Sequence, residues 1–213
     1  MSRVILLGHP VAHSLSPAMQ NAAFVAAGLD WEYVARDVLP EELEAALREV
    51  EYANVTAPHK LAAARILGSE LPSVNTIVRG RGYSTDTAIL RQVTNSHEAA
   101  IVGDGGAAAA FCAALPEARV FSRRGAWPPD VRDAELVIHA TPVRDEVLFE
   151  LGEGQTLIDL PYPRTATAEG AADAGARVLD GLEVLVAQGA ASFELWTGVA
   201  APVAAMRAAL GLT

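Results

Sequence analysis

The chain has 213 residues, 51% of them hydrophobic, and its 16 Lys+Arg against 26 Asp+Glu give a formal net charge of −10. This composition excludes an intrinsically disordered protein, and the acidic balance argues against binding to nucleic acid or an anionic membrane, because both need a basic surface. A single cysteine, Cys112, excludes an intrachain disulfide, and no apolar run reaches the roughly 18 residues of a membrane span. We therefore expect a soluble, cytoplasmic α/β protein.

In the first half of the chain, short aliphatic runs alternate with longer alanine-rich stretches, which predicts strands alternating with helices. The predicted strands are Val4–Leu7, Glu32–Asp37, Tyr52–Val55 and Thr76–Arg79. The predicted helices are Ser16–Ala27, Glu41–Val50 and Lys60–Leu67. A further helix over Asp86–Asn95 is expected to connect the two halves.

The second half of the chain begins near Glu98 and continues the alternation. Its predicted strands are Ala99–Val102, Arg119–Phe121, Leu136–His139, Thr156–Leu160 and Arg177–Leu179. Its predicted helices are Gly105–Leu115, Leu182–Trp196 and Ala201–Leu210. The stretch between Arg124 and Leu136 is too short for the usual helix between parallel strands, since such a connection needs about a dozen residues or more. We expect this helix to be missing or reduced to a turn.

A glycine-rich turn follows the first strand of the second half. The pattern GxGxxA is met by Gly103-Asp104-Gly105-Gly106-Ala107-Ala108, between a predicted strand and a predicted helix. Glycines let the backbone turn tightly and approach a pyrophosphate, and the helix N-terminus favours its negative charge. The turn therefore predicts a dinucleotide site. Asp104 counts against this interpretation unless its carboxylate points away from the phosphates.

Two arginines end the next predicted strand. Ser122-Arg123-Arg124 lies about 20 positions after Gly103, where an NAD-binding protein usually carries an acid for the ribose 2′-hydroxyl. No acid is present there, and guanidinium groups suit a 2′-phosphate, so the sequence favours NADP over NAD. Adjacent arginines are also typical of a solvated turn, and it is the glycine turn that favours the cofactor interpretation.

Polar motifs follow the predicted strands of the first half. They are HSLSP at 13–17, NVTAPHK at 54–60, SVNTI at 73–77 and YSTD at 83–86. Singly, such residues are typical of helix caps and solvated surface charges. Together they place hydroxyls, amides, a lysine and a carboxylate on loops at strand ends, where an open α/β sheet binds its ligand.

Through these motifs the chain resembles the shikimate dehydrogenase family over nearly its whole length. The resemblance continues in GDGGA, SRR, HATP, DLPYP and the closing run GLEVLVAQGAASFELWTG at 181–198. It implies an α/β fold with a split N-terminal α/β substrate domain, residues 1–87 and 184–213, and a reduced Rossmann-type NADP-binding domain, residues 88–183. It also implies reversible, NADP-dependent reduction of 3-dehydroshikimate to shikimate by a monomer or homodimer.

The resemblance further implies roles for individual residues. Lys60 and Asp86 would be the catalytic pair, in which the ammonium stabilises charge developing on a carbonyl oxygen and supplies the proton. Asp86 would also contact the substrate. The other substrate-binding residues would be Ser14, Ser16, Asn54, Thr56, Asn75, Tyr162 and Gln188. The cofactor-binding residues would be Gly103, Gly105, Gly106, Ala107, Ser122, Arg123, Arg124 and Thr141.

Several positions depart from the family pattern. Ser84, Ser122 and His139 stand where the family usually has Asn, and Ile89 and Arg144 stand where it usually has Gly. Two alternatives therefore stay open: a related dehydrogenase for quinate or another cyclic polyol, and a non-catalytic shikimate-binding paralogue with impaired cofactor binding. The histidines lack metal-ligand spacing, so no metal is expected.

Overall fold

A computed structural model describes residues 1–93 and 98–212. The chain divides into two compact units, one formed by Met1–Ala88 with Leu185–Thr213 and the other by Ile89–Val184. Each unit is built on one five-stranded sheet with helices, so the predicted α/β class is confirmed.

The sheet of the first unit has the strand order β2-β1-β3-β4-β5. Its strands are β1 (Ser2–Gly8), β2 (Trp31–Asp37), β3 (Tyr52–Val55), β4 (Thr76–Val78) and β5 (Arg81–Tyr83). The first three run parallel, whereas β4 and β5 form an antiparallel hairpin. The helices are α1 (Ser16–Ala26), α2 (Leu43–Glu49), α3 (Lys60–Ile66), α7 (Val203–Ala209) and, beyond its first turn, α6 (Gly181–Thr197).

Alternation along β3 gives the two faces of this sheet different roles. Ala53 and Val55 belong to an apolar core that also contains buried residues of α2 and α3, such as Leu43 and Ala63. The side chain of Asn54 points to the opposite face because successive strand residues alternate. There it contacts α6 and belongs to the polar network of the candidate site.

The sheet of the second unit is parallel throughout and has the order β10-β9-β8-β6-β7. Its strands are β6 (Ala99–Val102), β7 (Arg119–Phe121), β8 (Leu136–His139), β9 (Thr156–Asp159) and β10 (Arg177–Leu179). Helix α4 (Gly106–Ala114) follows β6, and α5 (Ala166–Asp173) connects β9 to β10. Since β7 and β8 lie on opposite sides of β6, the strand order reverses there, which is where such sheets bind ligands.

The connection from β7 to β8 lacks a helix, as its length predicts. Residues 122–135 are all described and form turns and extended chain. Val131 and Ala134 of this connection are buried in one cluster with Phe149, Leu151 and the sheet residue Val137. Two irregular segments, together with α5, thus cover one face of the sheet although the connection after β7 has no helix.

Sequence analysis predicts neither β5 nor α5. β5 has only three residues and is reached through a tight turn in which Arg79 and Gly80 have φ values of 48° and 77°. This turn also ends β4 at Val78, one residue before the predicted end of the strand. α5 is short, and its clearest signal is Thr165, whose hydroxyl accepts a hydrogen bond from the backbone N–H of Ala168.

Two predicted helices differ in form. The region predicted as Glu41–Val50 begins with a 3₁₀ turn, Pro40–Glu42, before α2. The region predicted as Asp86–Asn95 is a 3₁₀ helix over Asp86–Gln92, and Asn95 lies outside the described residues.

Candidate active site

A lysine and an aspartate form an ion pair in the first unit. Lys60 is the first residue of α3, and Asp86 is the first residue of the 3₁₀ helix that follows β5. Lys60 Nζ donates to both carboxylate oxygens of Asp86, at 2.7 and 2.9 Å. The two side chains are only 16% and 7% exposed. Because an ammonium has three donors, the pair leaves one N–H of Lys60 for a ligand.

Lys60 is also the only lysine in the chain. The single ammonium side chain of the protein is therefore held beside a buried carboxylate.

Two amides predicted as substrate ligands lie beside this ion pair. Asn75 Nδ2 donates to Asp86 Oδ1 at 2.9 Å, and Asn75 Oδ1 accepts from the backbone N–H of Thr85 at 2.8 Å. Gln188, on α6, has its Oε1 atom 3.4 Å from Asn75 Nδ2. The structure thus brings Lys60, Asp86, Asn75 and Gln188 into one cluster, although they come from separate parts of the sequence.

A second layer of polar side chains supports Asn75. Asn54 Nδ2 donates to the backbone oxygen of Asn75 at 2.8 Å and lies 3.2 Å from Ser192 Oγ. Asn54 Oδ1 accepts from the hydroxyl of Tyr33 at 2.8 Å. Asn54 is therefore buried and hydrogen-bonds Tyr33, Asn75 and Ser192 in this structure, although the family resemblance assigns it to the substrate.

Four residues of this network were not predicted from the sequence: Tyr33, Thr76, Thr85 and Ser192. Two of them, Thr76 and Thr85, stand inside the polar motifs, so the sequence could have indicated them as site residues. Ser192 lies one helical turn after Gln188, and its hydroxyl donates to the backbone oxygen of Gln188 at 3.0 Å. Tyr33 had no local signal, because only the pairing of β2 with β1 brings it near Asn54.

Three other predicted substrate residues lie at one end of the same sheet, Ser14 and Thr56 on loops and Ser16 as the first residue of α1. Ser14 and Ser16 follow β1, and the backbone N–H of Ser16 donates to Ser14 Oγ at 3.3 Å. Thr56 follows β3, and its backbone N–H donates to Leu7 O at 2.8 Å. Since β1 and β3 are parallel neighbours, the segments that follow them leave the sheet at the same end. The hydrogen bonds described for these three residues do not involve Lys60 or Asp86.

The glycine turn of the second unit packs closely against the neighbouring strand connection at one glycine and is open at the next. Gly103 has a φ of +136°, and a Cβ atom added there would lie 2.6 Å from the backbone oxygen of Ala140. At Gly105 an added Cβ would meet only open space, and α4 begins at Gly106 with Gly105 as its N-cap. The bare backbone and the helix N-terminus together fit a dinucleotide phosphate.

The two arginines after β7 have different partners. Arg124 Nε lies 3.7 Å from Asp104 Oδ2, so the carboxylate of the turn faces a guanidinium at the surface. The Arg123 guanidinium carbon lies 5.7 Å from the ring centre of Trp127. A tight turn places both arginines, since the backbone N–H of Gly125 donates to Ser122 O at 3.0 Å. The charge of Asp104 is thus balanced within the turn region.

The remaining predicted site residues, Thr141 and Tyr162, belong to the second unit. Thr141 Oγ1 lies 2.6 Å from His139 Nε2. The backbone oxygen of Tyr162 accepts from Arg144 at 3.5 Å.

Within residues 1–93 and 98–212, no group of three or more His, Cys, Asp and Glu side chains is placed to hold a metal ion. No helix in the described part of the chain has the length and apolar character that a membrane crossing requires.

Replacing Gly103 with alanine is expected to lower the free energy of unfolding by about 2–4 kcal/mol, because a side chain there is strained at positive φ and meets backbone. Gly105→Ala is the matched control, two residues away in the same turn. It meets no atom and should cost less than about 1 kcal/mol, the loss of a favourable N-cap. Denaturant unfolding of both variants measures the difference, and equal losses would contradict this view of the turn.

These two units define an α/β protein with a lysine–carboxylate cluster on one sheet and a glycine-rich turn after a strand of the other. Residues 6–77 match the family described as shikimate dehydrogenase substrate binding domain, and residues 181–210 match shikimate 5′-dehydrogenase C-terminal domain. The shikimate dehydrogenase (NADP(+)) of Halobacterium salinarum is 35% identical, over 96% of this chain and 97% of its own length. The chain belongs to the shikimate dehydrogenase family.

Solved structures agree with this assignment. The shikimate dehydrogenase of Aquifex aeolicus has a TM-score of 0.87 at 28% identity, covering 99% of this chain and 97% of its own. The shikimate 5-dehydrogenase of Thermus thermophilus, in complex with NADP(H) and shikimate, has a TM-score of 0.83 at 31% identity, with 98% of each chain covered. The alignment with the Halobacterium relative spans 260 positions, more than this chain has, so the relative carries additional internal residues.

Proposed function

We propose that this protein is an NADP-dependent shikimate dehydrogenase that reversibly reduces 3-dehydroshikimate to shikimate. The observation that carries the proposal is the Lys60–Asp86 ion pair, held by Asn75 and adjoined by Gln188. The names of the relatives support the choice of substrate and cofactor.

The ion pair supplies the acid–base part of this reaction. NADPH, when bound, would supply the hydride for reduction of the ketone and leave as NADP⁺. Negative charge then develops on the carbonyl oxygen, and Lys60 stabilises that charge and donates a proton to it. In the oxidation direction Lys60 accepts the proton of the substrate hydroxyl. Asp86 holds the ammonium in place through two hydrogen bonds, so that Lys60 keeps one geometry during the transfer.

The polar side chains of the first unit suit a ring that carries hydroxyls and a carboxylate. Asn75 and Gln188 lie within hydrogen-bond reach of the ion pair or of each other and would bind ring hydroxyls. Ser14, Ser16 and Thr56, beyond the carboxyl ends of β1 and β3, would bind the carboxylate or further hydroxyls. Asn54 would act on the substrate only through Asn75, whose backbone oxygen accepts from its amide. The assignment of Tyr162 to the substrate stays a prediction from the family resemblance.

The second unit would bind NADP. Gly103, Gly105, Gly106 and Ala107 would cradle the pyrophosphate with backbone N–H groups, and Thr141 would contact the nucleotide from the end of β8. Ser122, Arg123 and Arg124 would surround the 2′-phosphate. The first unit is accordingly the substrate domain and the second the cofactor domain, and we propose a cytoplasmic monomer or homodimer.

Replacing Arg123 with alanine is expected to raise the Kd for NADP⁺ by about 10- to 100-fold, the effect of a lost charged hydrogen bond. The Kd for NAD⁺ should change less than twofold because that nucleotide has no 2′-phosphate. Arg119→Ala, at the other end of β7, controls for the change in net charge. Calorimetric titration measures all six constants for the wild type and two variants. Equal losses for both nucleotides would rule out the proposed contact.

Steady-state kinetics with a substrate panel tests the proposed function. The panel pairs shikimate, quinate and an aminoshikimate with NADP⁺ or NAD⁺. We expect the highest kcat/KM for shikimate with NADP⁺. A higher value for another polyol would assign the protein to a related dehydrogenase. No turnover, together with calorimetric binding of shikimate but not of NADP⁺, would identify a non-catalytic binding protein.

A further inference from the structure

A histidine and an aspartate are completely buried at the ends of β8 and β9. The side chains of His139 and Asp159 are both 0% exposed, and His139 Nδ1 lies 2.7 Å from Asp159 Oδ1. The two strands are paired, with His139 directly opposite Asp159 in the register. The acid–base step described above uses neither residue.

The other ring nitrogen of His139 leads to a residue of the proposed cofactor site. His139 Nε2 lies 2.6 Å from Thr141 Oγ1, which also accepts from the backbone N–H of Val143 at 3.2 Å. Ala140, between His139 and Thr141, packs its backbone against Gly103. The chain of contacts therefore ends on a partly exposed hydroxyl beside the glycine turn.

The chemistry of these groups limits which atom can donate and which can accept in each of these hydrogen bonds. The Asp159 carboxylate already accepts from the backbone N–H of Thr165 at 3.2 Å, and as a carboxylate it can only accept. His139 must therefore donate from Nδ1. We take the ring to be neutral, in which case Nε2 is an acceptor. Thr141 then donates its only hydroxyl hydrogen to His139 and keeps one free lone pair.

The surroundings of His139 favour this arrangement. Phe149 packs its ring edge-on against the imidazole, with the centres 5.9 Å apart. On β6, the residue paired with His139 is the apolar Val102. Among the described contacts of the imidazole, Asp159 is the one charged partner, so no described neighbour competes for the Nδ1 proton.

We propose that His139 and Asp159 are positioning residues that hold the Thr141 hydroxyl as a hydrogen-bond acceptor for an N–H or O–H donor of the bound nucleotide. This inference rests on the proposed function, because it takes the nucleotide to be NADP. The donor would be a ribose hydroxyl or the carboxamide, and the 2′-phosphate is excluded because it carries no donor when ionised.

A double-mutant cycle on NADP⁺ binding tests the proposal. His139→Asn removes the acceptor that faces Thr141, and Thr141→Val removes the hydroxyl with little change in shape. Calorimetry should show that His139→Asn raises the Kd by about three- to tenfold in the wild-type background. In the Thr141→Val background the same change should be less than twofold, because the hydroxyl that it orients is absent. Equal changes in both backgrounds would show a merely structural role and overturn the proposal.

A measurement on the wild-type protein keeps the test independent of how the variants fold. Nitrogen NMR of the His139 ring, assigned through its backbone, should show a proton on Nδ1 and none on Nε2. A neutral ring with its proton on Nε2 would overturn the proposal even if NADP⁺ binds normally. Absence of NADP⁺ binding by the wild type would instead overturn the proposed function itself, and this inference with it.

Discussion

Replacing Lys60 with alanine is expected to lower kcat for shikimate oxidation by about 10²- to 10³-fold, the loss seen when a group that stabilises an oxyanion is removed. The KM for shikimate should change much less, because the interaction strengthens mainly in the transition state. If Lys60 only attracted the substrate carboxylate, the contact would be equal in ground and transition states. KM would then rise while kcat stayed near normal.

Gln188→Ala is the matched control for this variant. Gln188 lies in the same cluster but carries no charge, and an amide that binds a ring hydroxyl should affect binding more than chemistry. We expect Gln188→Ala to raise KM with a small change in kcat. A Lys60→Ala enzyme with near-normal kcat would end the assignment of Lys60 as the proton donor.

Asp86→Asn should have the second largest effect, a loss of about 10²- to 10³-fold in kcat/KM, within the range for a lost acid–base partner. An amide can accept only through one oxygen, so Lys60 loses one of its two hydrogen bonds and the charge that opposes its own. Because the ion pair is mostly buried, the free energy of unfolding should also fall, by about 1–3 kcal/mol. Steady-state kinetics and denaturant unfolding measure the two effects.

The exposed residue Asp173, at the end of α5, provides the control for Asp86. Asp173→Asn makes the same change in net charge and should alter the free energy of unfolding by less than about 0.5 kcal/mol. Its kcat/KM should equal that of the wild type. Unchanged kcat/KM in Asp86→Asn would show that Lys60 does not need the carboxylate.

The sequence predicted those elements whose local pattern agrees with their final environment. β3 and β6 are buried at every residue, and each is a short, mainly apolar run between polar or glycine residues. The missing helix after β7 was also predictable, since the short stretch between Arg124 and Leu136 leaves little room for one. β5 was not, because three residues with a central Gly82 carry little strand preference and form a strand only by pairing with β4.

The candidate site likewise contains residues that the sequence predicts and contacts that it does not. Lys60, Asp86, Asn75 and Gln188 stand in motifs, and the family resemblance was enough to select them. The hydrogen bonds of Tyr33 and Ser192 to Asn54 depend on how distant segments meet in three dimensions, which one sequence does not reveal. The contact between Arg124 and Asp104 is similar, because it joins the ends of two strands that are neighbours only in the sheet.

Because the chain has one lysine, the role of Lys60 can be tested without ambiguity. Protein labelled with ¹³C at the lysine Cε gives one side-chain signal, and its titration with pH reports Lys60 alone. If Lys60 donates the proton to the ketone, kcat/KM for 3-dehydroshikimate reduction must fall as pH rises through that titration, since the free enzyme then loses its acid. We expect the fall of kcat/KM at alkaline pH and the NMR titration of Lys60 to have the same midpoint. Midpoints more than about one pH unit apart would contradict it.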